Sequence, residues 1–265
     1  MKYCIKYEPK SKISYAEADE IILLYDENNR SIVNFLEKYK EKTIIFHIAE
    51  ECDIKLLKAF VDKYPNLKIR LTQSFIKINA EFFEKISELK IPFFFEDHAY
   101  SWDTLYNLLY YNPTDIYITQ ELGFELDKIS AILHGRGIQV RVFPNVAQAG
   151  GKNIDAIKTF FIRPEDIQYY EPFVDVCELY GHDRKTSTYL KIYKKDQKWF
   201  GQLSEIIIGY KGILDSRFII PIFAQARVKC GKKCLKGRKC HICERIEEAA
   251  ETLKDNNLLI KNHKV

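Results

Sequence analysis

The chain has 265 residues, 46% of them hydrophobic and 29% charged, with a formal net charge of +4. That is enough to bury a sizeable core, as one large α/β domain with an appendage or as two small domains. No stretch approaches the ~20 consecutive apolar residues that cross a bilayer, which excludes membrane insertion by a helix.

The start, MKYCIKYEPKSK, has no apolar h-region and so does not resemble a signal peptide. The expectation is a cytoplasmic chain, whose thiols stay reduced and whose clustered cysteines hold metal more often than they form disulfides. An odd number of cysteines, seven, agrees with this.

From residue 20 onward, short apolar, β-rich runs recur: EIILLY (20–25), TIIFHI (43–48), LKIRLT (67–72), IPFFFE (91–96), DIYIT (115–119), IQVRVF (138–143), IKTFFI (157–162) and FVDVCELY (173–180). Stretches of helical period lie between most of them. In Asp53–Tyr64, for example, Ile54, Leu57, Ala59, Phe60 and Val61 make an apolar face. The first six runs start about 24 residues apart, the length of one strand, one helix and two short loops. Strands alternating with helices imply a parallel sheet, and eight units are the count that closes a (β/α)8 barrel. An open doubly wound sheet is the alternative, but its Gly-rich first turn, GxGxxG, is absent. The predicted organisation is a (β/α)8-like barrel over residues 1–182, thin where the last two runs crowd together. A C-terminal helical extension over 183–265 would carry a four-cysteine metal site.

Within each strand, alternate residues face the helices and the rest face the barrel interior. Placing Ile69 and Leu71 outward sends Arg70 and Thr72 inward, and the same parity turns Tyr117, Thr119, Arg141, Glu178 and Tyr180 inward. His47 and Glu96 fit the inward set. Barrel active sites lie at the C-terminal ends of the strands, where most of these residues fall. Charged groups there either pair with one another or serve a ligand. In the ligand reading, Arg70 and Arg141 grip an anionic group and Glu178, His47 and Glu96 handle protons. Asp97 and His98, in the loop EDHAYSW, join the same mouth.

The last third of the chain contains KCGKKCLKGRKCHICE, in which Cys230, Cys234, Cys240 and Cys243 are spaced C-x3-C-x5-C-x2-C. Four thiolates this close can surround one tetrahedral Zn2+ or an iron–sulfur cluster. Only the second pair has the C-x2-C spacing usual in a zinc knuckle. The C-x3-C-x2-C of radical S-adenosylmethionine enzymes fails at Gly237. Cys4, Cys52 and Cys177 are scattered and suit small buried positions, with Cys177 a candidate extra ligand. Between Ser216 and Cys243 there are eight Lys or Arg and no Asp or Glu, so the rest of the chain is net −4. Such a block offsets metal-bound thiolates or attracts RNA phosphates.

The stretch TFFIRPEDIQYYEPFVDVCELYG (159–181) resembles the late-barrel segment of the collagenase-like peptidases, peptidase U-family 32. It has an acidic residue ahead of an aliphatic one (Asp166–Ile167), a "VD" strand (Val174–Asp175) and a closing glycine, Gly181. The resemblance implies an iron–sulfur barrel that lacks a protease triad and acts in oxygen-independent hydroxylation of tRNA, ribosomal RNA or ubiquinone precursors. It also implies a [4Fe–4S] cofactor on the cysteines, with Zn2+ the alternative, and a possible partner subunit. Two features depart from the family. Tyr180 and His182 flank Gly181 where members carry an acid and an arginine, so those roles do not transfer. The segment NVAQAGGKN lacks the cysteines that members place there. The sequence therefore predicts an iron–sulfur protein modifying RNA or a small aromatic substrate. The alternative is a zinc-knuckle nucleic-acid-binding protein on a barrel scaffold. Peptidase chemistry ranks third, since HExxH and GxSxG are absent.

Overall fold

The computed structural model describes residues 1–8, 14–26, 29, 31–72, 80–119, 122–147, 157–181, 184–195, 198–210, 214–220, 222–231 and 241–255. The chain runs through β1 (Lys2–Lys6), β2 (Glu20–Leu24), α1 (Ile32–Lys38), β3 (Thr43–Ile48), α2 (Ile54–Lys63), β4 (Leu67–Leu71) and α3 (Ala80–Glu88). It continues as β5 (Phe93–Phe95), β6 (His98–Ala99), α4 (Trp102–Leu109), β7 (Asp115–Ile118), α5 (Leu126–His134), β8 (Gln139–Val142) and β9 (Val176–Leu179). Four further helices follow: α6 (Arg184–Lys194), α7 (Leu203–Ile206), α8 (Ile222–Val228) and α9 (Ile242–Asp255).

All strand pairs are parallel, in the order β5-β4-β3-β2-β1-β9-β8-β7-β6. The two ends of that order, β5 and β6, are neighbours in the chain, separated only by Glu96 and Asp97. They are halves of one interrupted strand: β5 pairs with β4, β6 pairs with β7, and Thr114 N donates to the Phe93 carbonyl at 2.8 Å. The sheet thus curls into a nearly closed barrel with its seam at the interruption.

The strand inventory differs from the predicted one at two places. KYCIK (2–6), which the repeat pattern misses, is the first strand and bonds to both β2 and β9. IKTFFI, predicted as a strand, is not one in the described residues. Its apolar side chains are buried because Phe160 and Phe161 pack against Phe124, Tyr170 and Tyr210 outside the barrel. A short run buried on all sides looks the same to periodicity whether or not it pairs. A brief 3-10 turn, Pro164–Tyr169, precedes β9.

Alternation along the strands builds two separate cores. Outward residues such as Ile21, Ile44, Phe46, Ile69 and Leu71 pack with Leu36, Leu57, Phe82 and Ile86 from the helices. Inward residues Cys4, Ile22, Ile45, Phe94, Tyr117 and Val176 form a second cluster inside the barrel, with Phe143 against it. Burying each large side chain stabilises the fold by roughly 1.5–3 kcal/mol. Two of the crossover helices, α2 and α4, begin at capping residues that satisfy their first N–H groups. Asp53 accepts from Lys55 N and Leu56 N, and Ser101 forms a capping box with Thr104.

The C-terminal extension lies against the barrel. Val146 and Ile208 form a parallel bridge, with Ala147 N to Ile208 O and Ile208 N to Asn145 O both 2.7 Å. Gly209 makes this approach possible: its φ is +81°, and a Cβ there would lie 2.2 Å from the Ala147 carbonyl oxygen. Below it, buried Arg163 binds Asp166 at 2.6 and 2.8 Å and donates to the carbonyls of Ser216 (2.9 Å) and Ile219 (3.2 Å). Among the described residues, no helix is long and apolar enough to cross a membrane.

Candidate functional site

Strand parity turns both arginines inward, and the structure sets them at different heights. Arg141 lies low in the barrel. Its Nε donates to Asp115 at 2.9 Å, its Nη2 bonds Glu20, and its guanidinium stacks 4.5 Å from the Phe94 ring. Lys68 joins from the side, 2.9 Å from both Asp115 and Gln139. Burial alone would raise the Asp115 carboxyl pKa, but the charges of Arg141 and Lys68 more than offset it and hold it below the usual value. Arg141 is wholly buried and does not line the mouth. In this position it neutralises the carboxylates of the barrel floor.

Arg70 lies above the inner apolar cluster and does line the mouth. Its Nε donates to His47 Nδ1 at 2.8 Å, its Nη1 to Glu178 Oε1 at 3.3 Å, and its Nη2 is 3.4 Å from Glu96 Oε1. Arginine keeps its protons, so His47 Nδ1 must be the acceptor and its proton sits on Nε2. Burial, then the neighbouring charges of Arg70 and Lys6, lowers the His47 pKa to about 4, so the ring is neutral at pH 7. Glu178 also accepts a bond from the Tyr117 hydroxyl. Burial, and next the Glu178 charge, pushes the Tyr117 phenol well above its ordinary range, so it stays a donor.

Above this set the cavity opens to about 1350 Å³. Phe143 stacks on Tyr117 with ring centroids 4.9 Å apart and planes 8° from parallel, and His98 lies 5.1 Å from Phe143. Thr186 and Ile208, from the extension, complete part of the wall with Tyr180 and Gly181. His47, Arg70, Glu96 and Glu178 thus come together. Tyr117, turned inward by parity but given no role there, and Phe143, which continues the same alternation two residues after Arg141, are further parts of the site. Lys6, on the strand that the repeat pattern misses, is another.

Of the four clustered cysteines, Cys234 and Cys240 lie outside the described residues. Cys230 and Cys243 are partly buried against the outer core. The segment is tied to the loop after β7 by a 2.8 Å bond from Gly231 N to the Phe124 carbonyl. Among the described residues, no three His, Cys, Asp or Glu side chains are grouped to hold a metal ion. Cys177 lies in β9 with its thiol 3.1 Å from Met1 Sδ. Arg227, one turn before Cys230, is 4% exposed, and its Nε and Nη1 have no hydrogen-bond partner among the described residues. Burial disfavours its charged form, against which the neighbouring Tyr170, Cys243, Asp166 and Cys230 groups act. A buried cation on the segment that carries Cys230 matches in charge the anionic centre that four thiolates would form with a metal.

Fold and site together define a nearly closed parallel α/β barrel with ionisable groups converging at its mouth. In sequence, the chain is similar to an uncharacterized protease, MJ1657, of Methanocaldococcus jannaschii, with 28% identity over 105 residues. The match covers 37% of this chain and 30% of that relative, so the chain spans less than a third of the relative's length. No family model matches the chain. No solved structure matches it.

Proposed function

We propose that the chain is an iron–sulfur barrel enzyme, or the subunit of one, that modifies RNA or a small anionic aromatic molecule by oxygen-independent, hydroxylation-type chemistry. The observation that carries this reading is Arg70, buried between Glu178 and His47 at the mouth of a cavity of about 1350 Å³. That volume exceeds the ~300–1,000 Å³ of most small-ligand pockets and leaves room for a nucleotide.

Arg70 binds the anionic group, with its guanidinium plane held by neutral His47 on one edge and Glu178 on another. The faces of Phe143 and His98 stack against an aromatic ring. Glu178, steadied by the Tyr117 hydroxyl, accepts a proton, and partly exposed Glu96 passes it to solvent. His47 is then a positioning residue rather than a proton carrier at neutral pH. Cys230, Cys234, Cys240 and Cys243 would hold a [4Fe–4S] cluster, which supplies single electrons when bound. The name of the similar protein suggests peptide hydrolysis, but the chain has no HExxH or GxSxG to supply an activated water or nucleophile.

Anaerobic purification followed by absorption spectroscopy and metal analysis tests this reading. Iron, acid-labile sulfide and a broad visible absorption that bleaches with dithionite are expected. Stoichiometric zinc in a colourless sample overturns the iron–sulfur assignment.

A further inference from the structure

His98 is held in place by packing while its ring nitrogens stay uncommitted. The two-residue strand β6 sets it opposite Tyr117, with Ala99 opposite Ile118. Its ring lies 5.4 Å from the Tyr117 ring and 5.1 Å from Phe143, tilted 58° and 52° to their planes. So wedged, it lines the cavity. Among the described residues, neither nitrogen makes a hydrogen bond or an ion pair, and neither is sealed from solvent.

The other ionisable groups of this layer are already engaged. His47 lies outside the cavity wall, and its Nδ1 accepts from Arg70 Nε at 2.8 Å. Glu178 has both oxygens occupied, Oε1 by Arg70 at 3.3 Å and Oε2 by the Tyr117 hydroxyl. A neutral imidazole carries one N–H donor and one acceptor nitrogen, and its ordinary pKa lies close to neutrality, as proton transfer at neutral pH requires. Carboxylates flank His98: Glu96 and Asp97 directly precede it, and Glu178 is bonded to the tyrosine it packs on. The helix that follows, α4, adds only Asp103 and Tyr106 as titratable groups, both exposed. Among the described residues, the cations lining the cavity are Arg70 and Lys6. Burial lowers the His98 pKa against the pull of Glu178, Asp97 and Glu96, so the resting ring is neutral and its acceptor nitrogen is available.

We infer that His98 is the catalytic base of the barrel mouth, the residue that takes a proton directly from a hydroxyl or N–H group of the bound ligand. This rests on the reading of the cavity as a site for an aromatic ligand, but not on the metal centre. The ligand O–H or N–H bond breaks, its electron pair stays on the ligand, and the proton moves to the open nitrogen of His98. The imidazolium so formed is stabilised by the carboxylates around it, and Glu178 and Glu96 then pass the proton on to solvent. Tyr117 and Phe143 hold the ring still for the transfer.

Binding of 2,4-dinitrophenolate to the full chain tests the inference, because this aromatic oxyanion mimics a ligand that has just lost its proton. The parent is expected to draw up to about one proton per site from solution on binding, as His98 becomes imidazolium. Its affinity is expected to rise about tenfold as pH falls from 8 to 6, since proton uptake and binding are linked. His98→Phe keeps a ring between Tyr117 and Phe143 but has no nitrogen. It is expected to bind without the proton uptake and with a flatter pH profile. If His98→Phe does not fold, His98→Gln makes the same comparison. Equal proton uptake in parent and variant, or benzoate binding with no binding of 2,4-dinitrophenolate, overturns this inference alone. A parent that binds neither probe overturns the aromatic-ligand reading and this inference with it.

Discussion

Arg141 holds two carboxylates, Asp115 and Glu20, in a part of the barrel where all three side chains are fully buried. Replacing it with Met leaves both acids without their main counter-charge, and stability is expected to fall by ~3–5 kcal/mol in denaturant unfolding. Asp115 would still have Lys68, so most of the loss belongs to Glu20, whose other ionic contact is Lys2 at 3.7 Å. His47 makes a second prediction, about pH. The unfolded imidazole titrates at ~6.5, while burial and Arg70 lower the folded one to about 4. Between those values the unfolded chain takes up a proton that the folded chain refuses. Stability from this group is complete above pH 6.5, declines as pH falls to 4 and is level below. Chemical denaturation across that window is expected to show a shallower decline in His47→Gln, which can still accept from Arg70.

The elements that complete the site are the irregular ones. The interruption between β5 and β6 directs Glu96 and His98 toward the mouth from what is otherwise one strand. β1 contributes Lys6, and the bridge between Val146 and Ile208 brings the extension to the rim. Gly209→Ala tests that bridge, since it imposes a positive φ on a residue with a Cβ and drives that Cβ into the Ala147 carbonyl. A loss of about 1–3 kcal/mol is expected, with faster proteolysis of the C-terminal segment than in the parent. These elements are hard to read from sequence for a common reason. KYCIK has only a five-residue alternation with lysines at its ends. The bridge is a single pair of residues, and the strand break is only the two residues Glu96 and Asp97.

For the molecule as a whole, the barrel-mouth site and the proposed metal centre on the extension are separately testable. Cys240→Ser is expected to remove most of the bound metal, because ligation by four thiolates collapses when one is lost. Metal analysis of single substitutions at all four positions checks this, and full retention in every one would refute a shared centre. Arg70→Lys tests the other half. It keeps the charge but loses the planar fork, and binding of benzoate, a small anionic aromatic probe, is expected to weaken while the metal content stays the same.

Local alternation is a property of the chain itself, so the sequence by itself determined the repeating strand-and-helix units, their parallel barrel and the inward turn of Arg70, Arg141, Glu178 and His47. The grouping of cysteines and positive charge near the C-terminus is equally a matter of sequence. Height inside a barrel is different: it depends on the tilt and stagger of neighbouring strands, which no single strand encodes. Only the tertiary structure put Arg141 among the floor carboxylates and Arg70 at the mouth, although parity treats them alike. The same holds for Arg227, since its neighbours Phe124 and Phe161 lie far from it along the chain, and their packing around its charge exists only once the extension has docked.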